Sequence, residues 1–103
     1  MKTIKYKYQE DVTFDKIKKY IDSTYGAHYV NDGLQVIDVW ESRGTLMSTA
    51  TDTAIKYLMR FGKKDGMNEK DLLKAIHYIM LMLYELEKKK GDVFNETYIG
   101  TNE

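Results

Sequence analysis

Asn68-Glu69-Lys70-Asp71-Leu72-Leu73-Lys74-Ala75-Ile76-His77-Tyr78-Ile79-Met80-Leu81-Met82-Leu83-Tyr84-Glu85-Leu86 is the stretch that decides the fold. Asn68 is a good N-cap, because its side-chain oxygen can accept from a free N–H of the first turn. Asp71, three residues on, makes a variant of the capping box. From Ile76 to Leu86 only His77 and Glu85 are neither apolar nor aromatic. The pattern predicts a long helix to about Lys90, stopped at Gly91, with Lys88, Lys89 and Lys90 as a solvated end favoured by the macrodipole. Leu72, Ile76, Ile79, Met80, Leu83 and Leu86 are expected on its inner face, with Tyr78, Leu81 and Tyr84 well off it. A helix apolar nearly all round needs cover on more than one side. Helix 69–90 is therefore expected at or near a homo-oligomer interface, the alternative being a central helix wrapped by its own chain.

Moving toward the N-terminus, Ala54-Ile55-Lys56-Tyr57-Leu58-Met59-Arg60-Phe61-Gly62-Lys63-Lys64-Asp65 places four cations around a helix end. Ser48 or Thr49 would cap this helix and Gly62 would close it. Ala50, Ala54, Tyr57, Leu58 and Phe61 form the expected buried face. Thr53, Lys56 and Arg60 share the opposite flank, with Asp52 beside them. Earlier still, Gln35 to about Ser42 reads as a short helix stopped by Gly44, and Thr13 to about Ser23 as another, with Phe14, Ile17, Tyr20 and Ile21 inward. Ile4, Tyr6 and Tyr8 alternate with Lys5 and Lys7, the pattern of a half-buried strand or a docking arm. The expectation is a mainly α domain of about four helices at 13–91. An N-terminal strand or arm occupies 1–12 and a C-terminal tail or arm 92–103. Trp40 and Phe61 are expected to be largely buried.

Composition excludes several classes. With 103 residues the chain is one domain with a modest core. No Cys is present, so neither a disulfide framework nor a thiolate metal site can form. Formal net charge is zero, which argues against general nucleic-acid binding and makes the cations around Arg60 a local concentration. No apolar run reaches the roughly 18 residues of a membrane span, and the opening residues lack a signal pattern, so a cytoplasmic protein is expected.

The chemistry-bearing residues form no Walker or dinucleotide loop, no His-Glu-x-x-His and no nucleophile elbow. Metal ligands are not expected. A compact cationic helix flank suits a phosphate or carboxylate: the planar guanidinium of Arg60 can grip at two points, and Lys56 adds a point charge. Lys63 and Lys64 follow in the loop. His28 and Tyr29 can hydrogen-bond a phosphate or stack on a base. Asp38 and Glu41 share a face of the short helix and could hold magnesium or act as a base. His77 reads as a packed or interfacial histidine.

The order His28-Tyr29, Gly33-Leu34-Gln35-Val36-Ile37-Asp38, Ala54 to Asp65 and Asp71-Leu72-Leu73-Lys74-Ala75-Ile76-His77-Tyr78 resembles a family of small phage proteins. That family includes the lactococcal phage SaV protein, named for sensitivity to an abortive-infection system, and a coliphage nucleotide kinase that lacks a Walker motif. The resemblance runs from about Ala27 to Leu86. It implies nucleotide association through His28, Tyr29, Lys56, Tyr57 and Arg60, with Thr53, Lys63 and Lys64 beside them and Asp38 as a magnesium site or base. Under it Tyr29 or Tyr57 would pack on the base or sugar. The family typically carries Gly-Asn before the Ala-x-Lys-Tyr run, where this chain has Asp52-Thr53. The expectation is a phage-encoded nucleotide-binding protein of the host cytoplasm, with a non-P-loop nucleotide kinase as the enzymatic form and magnesium as its cofactor. The alternative is a non-enzymatic protein that sequesters a host defence nucleotide or binds a host protein.

Overall fold

A computed structural model describes residues 3–28 and 35–95, with side chains for 3–26 and 35–91. The described chain is helical: α1 is Glu10–His28, α2 Val36–Ser42, α3 Leu46–Arg60 and α4 Glu69–Asn95. The expected mainly α architecture is found. Among the described residues no strand forms: the alternating segment 3–6 has no regular structure and leads into a turn at Lys7-Tyr8. Gln9 then takes a left-handed φ of 58° and Tyr8 N–H donates to Glu10 Oε1 at 3.1 Å, which starts α1 three residues before the expected cap at Thr13. The chain divides by packing into Met1–Gln35 and Val36–Glu103.

In the first unit, α1 carries surface ion pairs Lys18–Asp22 and Lys19–Asp15, one turn apart along the helix. Ile17, Tyr20 and Ile21 are half-buried, whereas Phe14 is exposed.

In the second unit, α2 ends where the glycine reading placed its stop. Gly44 has φ 78°, its N–H donates to Glu41 O, and Thr45 N–H donates to Trp40 O, a Schellman closure. This closure carries directly into α3, so the helix begins at Leu46 rather than at a Ser48 or Thr49 cap. The Thr45 hydroxyl turns back to Trp40 O at 3.3 Å. After α3, Gly62 (φ 87°) and Gly66 (φ 68°) fold a tight turn joined by Gly62 N–H to Gly66 O at 2.8 Å. Asn68 then caps α4 as expected, its Oδ1 accepting from Lys70 N–H at 2.9 Å. The reciprocal half of the capping box does not form, because Asn68 N–H donates to Gly66 O. Gly91 does not stop α4, which continues to Asn95.

α3 and α4 pack as an antiparallel hairpin. Tyr57 lies level with Lys74 and Tyr78, and Thr51 with Met82 one and a half turns away. The seam is built from small residues: Ala50 and Ala54 on α3 and Ala75 on α4 are buried, with Leu46 and Leu73 beside them. Small side chains let the two backbones approach closely, so few apolar residues suffice. On α3 the expected face is kept at Ala50 and Ala54 but not at Leu58, whereas α4 is rotated away from its expected face. Leu58 is 51% exposed, and Trp40 and Phe61 are half-buried rather than largely buried. On α4 the seam takes Asp71, Ala75, Tyr78, Met82 and Glu85, while most of the expected inner face (Leu72, Ile79, Met80, Leu83 and Leu86) stands exposed. Leu81 is half-buried.

Two carboxylates accompany the seam. Asp71 sits in the first turn of α4, where the macrodipole favours its charge. Glu85 has Lys88 and Lys89 within 4.0 Å.

α2 is tied to α4 at its far end. Glu41 Oε2 accepts from Tyr84 Oη and from Lys88 Nζ, each at 2.6 Å. These bonds hold the Glu41 carboxyl below its ordinary range, with the Lys88 bond the larger cause, and raise both Tyr84 and Lys88 through their bonds to Glu41. The lysine run is thus not only a solvated end: Lys88 is the clasp between two helices.

Candidate functional site

Tyr57 is the centre of the site. It lies on the flank of α3 that turns toward α4, one residue after Lys56 and three before Arg60. Its ring runs nearly parallel to that of Tyr78, at 14° with 6.2 Å between centroids, an offset stack. Trp40 of α2 continues the row, its ring centroid 6.2 Å from that of Tyr78 at a 39° tilt. Three elements therefore supply one line of aromatic rings.

Three cations converge on the first ring of that line. Lys56 Nζ lies 4.6 Å from the Tyr57 centroid, the Arg60 guanidinium carbon 5.2 Å and Lys74 Nζ 5.3 Å. Each is within the ~6 Å range in which an aromatic quadrupole attracts a cation. Lys56 and Arg60 come from α3 by their four-residue spacing, as expected. Lys74 comes from α4 and was not among the expected site residues. Its only sequence signal is its place in the Asp71-Leu72-Leu73-Lys74-Ala75 segment, because the hairpin register that brings it to Tyr57 is a tertiary fact.

Among the described residues no carboxylate makes an ion pair with Lys56, Arg60 or Lys74; the ion pairs there run through Asp15, Asp22, Glu41, Glu85 and Glu87. Asp52, the expected neighbour of Lys56, is exposed and makes no such pair. The cations crowd one ring, so their separations do not exceed about the Debye length, ~10 Å at 0.1 M salt, and they repel one another. The Tyr57 π face offsets part of that repulsion. An anion would offset the rest. Arg60 and Lys74 are half-buried and Lys56 is exposed, so the cluster is open to solvent and its stems are held.

The other expected residues are placed differently. Thr53 is half-buried and its hydroxyl donates to Thr49 O at 2.7 Å, bonding back into its own helix. Lys63 and Lys64 are exposed in the turn after α3, and no recorded contact joins them to Tyr57. Asp38 is exposed on α2. His28 ends α1 with its side chain outside the described residues, and Tyr29 lies outside them altogether. His77 is half-buried beside Tyr78, and burial lowers its pKa below the ordinary value.

The second unit is thus a helical hairpin with a short cross-helix, carrying a cation-ringed aromatic row on one flank. The model of DUF3310, a family of proteins of unknown function, matches residues 23–80, more than half of the chain, and the protein belongs to that family. The matched segment contains Trp40, Lys56, Tyr57, Arg60, Lys74 and Tyr78. No curated protein and no solved structure matches the chain. No described helix is long and apolar enough to cross a membrane.

Proposed function

We propose that this chain binds a nucleotide or nucleotide-like phosphate, with Lys56, Arg60 and Lys74 as the phosphate seat. The observation that carries this reading is the convergence of the three cations on the Tyr57 ring without a carboxylate partner among the described residues. In this reading Tyr57 is the platform that gathers the cations, rather than the surface on which a base packs. The base or sugar would lie along the Tyr78 and Trp40 end of the row. The resemblance to small phage proteins, one of them a nucleotide kinase without a Walker motif, supports the same class of ligand and a setting in the cytoplasm of an infected cell.

In the enzymatic form, the cluster would act by positioning a phosphoryl group and neutralising its charge, which is most of what phosphoryl transfer asks of a protein. Among the described residues no three His, Asp or Glu side chains come together to hold a metal. Magnesium would then arrive on the phosphates of the donor, which is its usual mode of binding.

Calorimetry against nucleoside mono-, di- and triphosphates and cyclic nucleotides tests the binding. Arg60→Ala should weaken the best ligand, and Arg60→Lys should weaken it too, since the charge remains but the two-point grip is lost. Turnover of a nucleoside monophosphate with a triphosphate donor would identify a kinase, and stoichiometric binding without turnover would identify a sequestering protein. If no nucleotide binds, the cluster is structural and an interaction with a host protein becomes the leading reading.

A further inference from the structure

The exposed face of α4 has a period that the seam with α3 does not explain. Leu72, Ile76, Ile79, Leu83 and Leu86 follow one another at spacings of four, three, four and three residues. That is a strict 3.5-residue repeat, the signature of a helix packed along another helix. The stripe keeps to a narrow sector of α4, about 100° around from the residues that face α3. Leu72, Ile79, Leu83 and Leu86 on it are 37%, 41%, 58% and 43% exposed. Thr51 of α3 meets Met82 on this side of the hairpin, whereas Tyr57 meets Lys74 on the other. Ile55 and Leu58 of α3, both exposed, extend the apolar face beside Thr51. The clasp of Glu41 on Tyr84 and Lys88 keeps α2 to the opposite flank.

We infer that this face joins α4 to the α4 of a second copy, antiparallel, in a two-fold pair centred near Leu81. The direction follows from charge. α4 opens with Glu69 and carries Lys90 at its far end on the stripe's side of the helix. A parallel pair would set the Lys90 of both copies side by side. An antiparallel pair brings each Lys90 toward Glu69 of the other copy and opposes the helix macrodipoles. With Ile79 of one copy level with Leu83 of the second, Ile76 falls level with Leu86, Leu72 lies beyond these matched layers beside Lys90, and the isologous contact closes on itself. The corresponding stripe of α1 is shorter: Phe14, Ile17 and Ile21 are followed by Thr24. This inference does not depend on the ligand.

Light scattering of the full chain at micromolar concentration should give at least twice the 12.1 kDa chain mass. Leu83→Glu and Ile79→Glu should each return it to the monomer mass with helical circular dichroism retained, because both side chains are exposed in the single chain. The chain has no cysteine, so single substitutions report position cleanly. Mixed Ile79→Cys and Leu83→Cys proteins should cross-link to each other under mild oxidation. Glu87→Cys should not cross-link to itself, because its two copies would lie about 18 Å apart along the helices, far beyond disulfide reach. A monomeric wild type, with the stripe covered by its own α1, would overturn the inference. So would a Glu87→Cys homodimer, which requires a parallel pair, or an oligomer indifferent to both Glu variants.

Discussion

Removal of Lys74 separates the two roles that a cation beside an aromatic ring can play. If the three cations serve the fold, Lys74→Met loses an attraction to Tyr57 worth about 0.5–1 kcal/mol at an exposed site and up to ~2 when desolvated. If they form an anion seat, the free protein carries three like charges around one ring, and removing one relieves repulsion. Met keeps the length of the stem and its packing on the hairpin flank. The two contributions oppose each other in the free protein, so urea unfolding at low salt should shift by less than about 0.5 kcal/mol, and the shift should move toward stabilisation as salt is lowered. In the complex the sign is not shared. A charged hydrogen bond to phosphate from a half-buried lysine is worth about 1.5–3 kcal/mol, which is a loss of roughly 10- to 150-fold in affinity. Paired unfolding and calorimetric titrations on wild type and Lys74→Met read both numbers. A variant destabilised by more than about 1 kcal/mol whose affinity for the best nucleotide is unchanged would refute the anion-seat argument.

Other consequences are specific to single contacts. Leu58→Ala should cost less than about 1 kcal/mol in unfolding, because half of the side chain is already exposed, whereas Ala54→Leu should cost about 1–3 kcal/mol by forcing the seam apart. The Glu41 carboxyl is lowered by its bonds from Lys88 and Tyr84, so the stability it contributes is present above its ordinary value of 4.5 and is lost as pH falls through the depressed one. Glu41→Gln should therefore flatten the acid limb of a Trp40 fluorescence titration. Tyr84 and Lys88 are raised, so their share is complete below their ordinary values and is lost as pH rises through the raised ones; Tyr84→Phe should flatten the alkaline limb. Burial lowers His77, so an NMR titration should place it below 6.5, and protonation on acidification should oppose folding.

What could be read from the chain was local. Gly44, Gly62 and Asn68 punctuate the helices where their backbone chemistry predicts, because a left-handed φ or a side-chain cap is decided within a few residues. Lys56 and Arg60 reach the same ring because a four-residue spacing on one helix already places them together. What escaped was chiefly the rotation of α4 about its axis. Ala50 and Ala54 lie in the seam as the spacing on α3 predicts, but the small residue that meets them on α4 is Ala75, so large apolar residues were no guide to that side, and Leu58 and the Leu72 stripe were assigned inward with the apolar pattern. Lys74 escaped for the same reason, since its partner ring is on another helix.

That rotation ties the two faces of the hairpin together. A seam of alanines brings the α3 and α4 backbones close, and the residues flanking it then project to either side. On one side the flanking residues are Lys56, Tyr57, Arg60, Lys74 and Tyr78, with Trp40 of α2 completing the row. On the other side they are Leu58 of α3 and the Leu72 to Leu86 stripe of α4. Had α4 turned its leucines toward α3, as their size suggested, the interhelical distance would have grown and Lys74 would have turned away from Tyr57. The small residues at 50, 54 and 75 thus set both features at once: a cation cluster assembled from two helices, and an apolar stripe left facing outward. Enlarging any one of the three should therefore disturb nucleotide affinity and self-association together, although none of them lies on either surface.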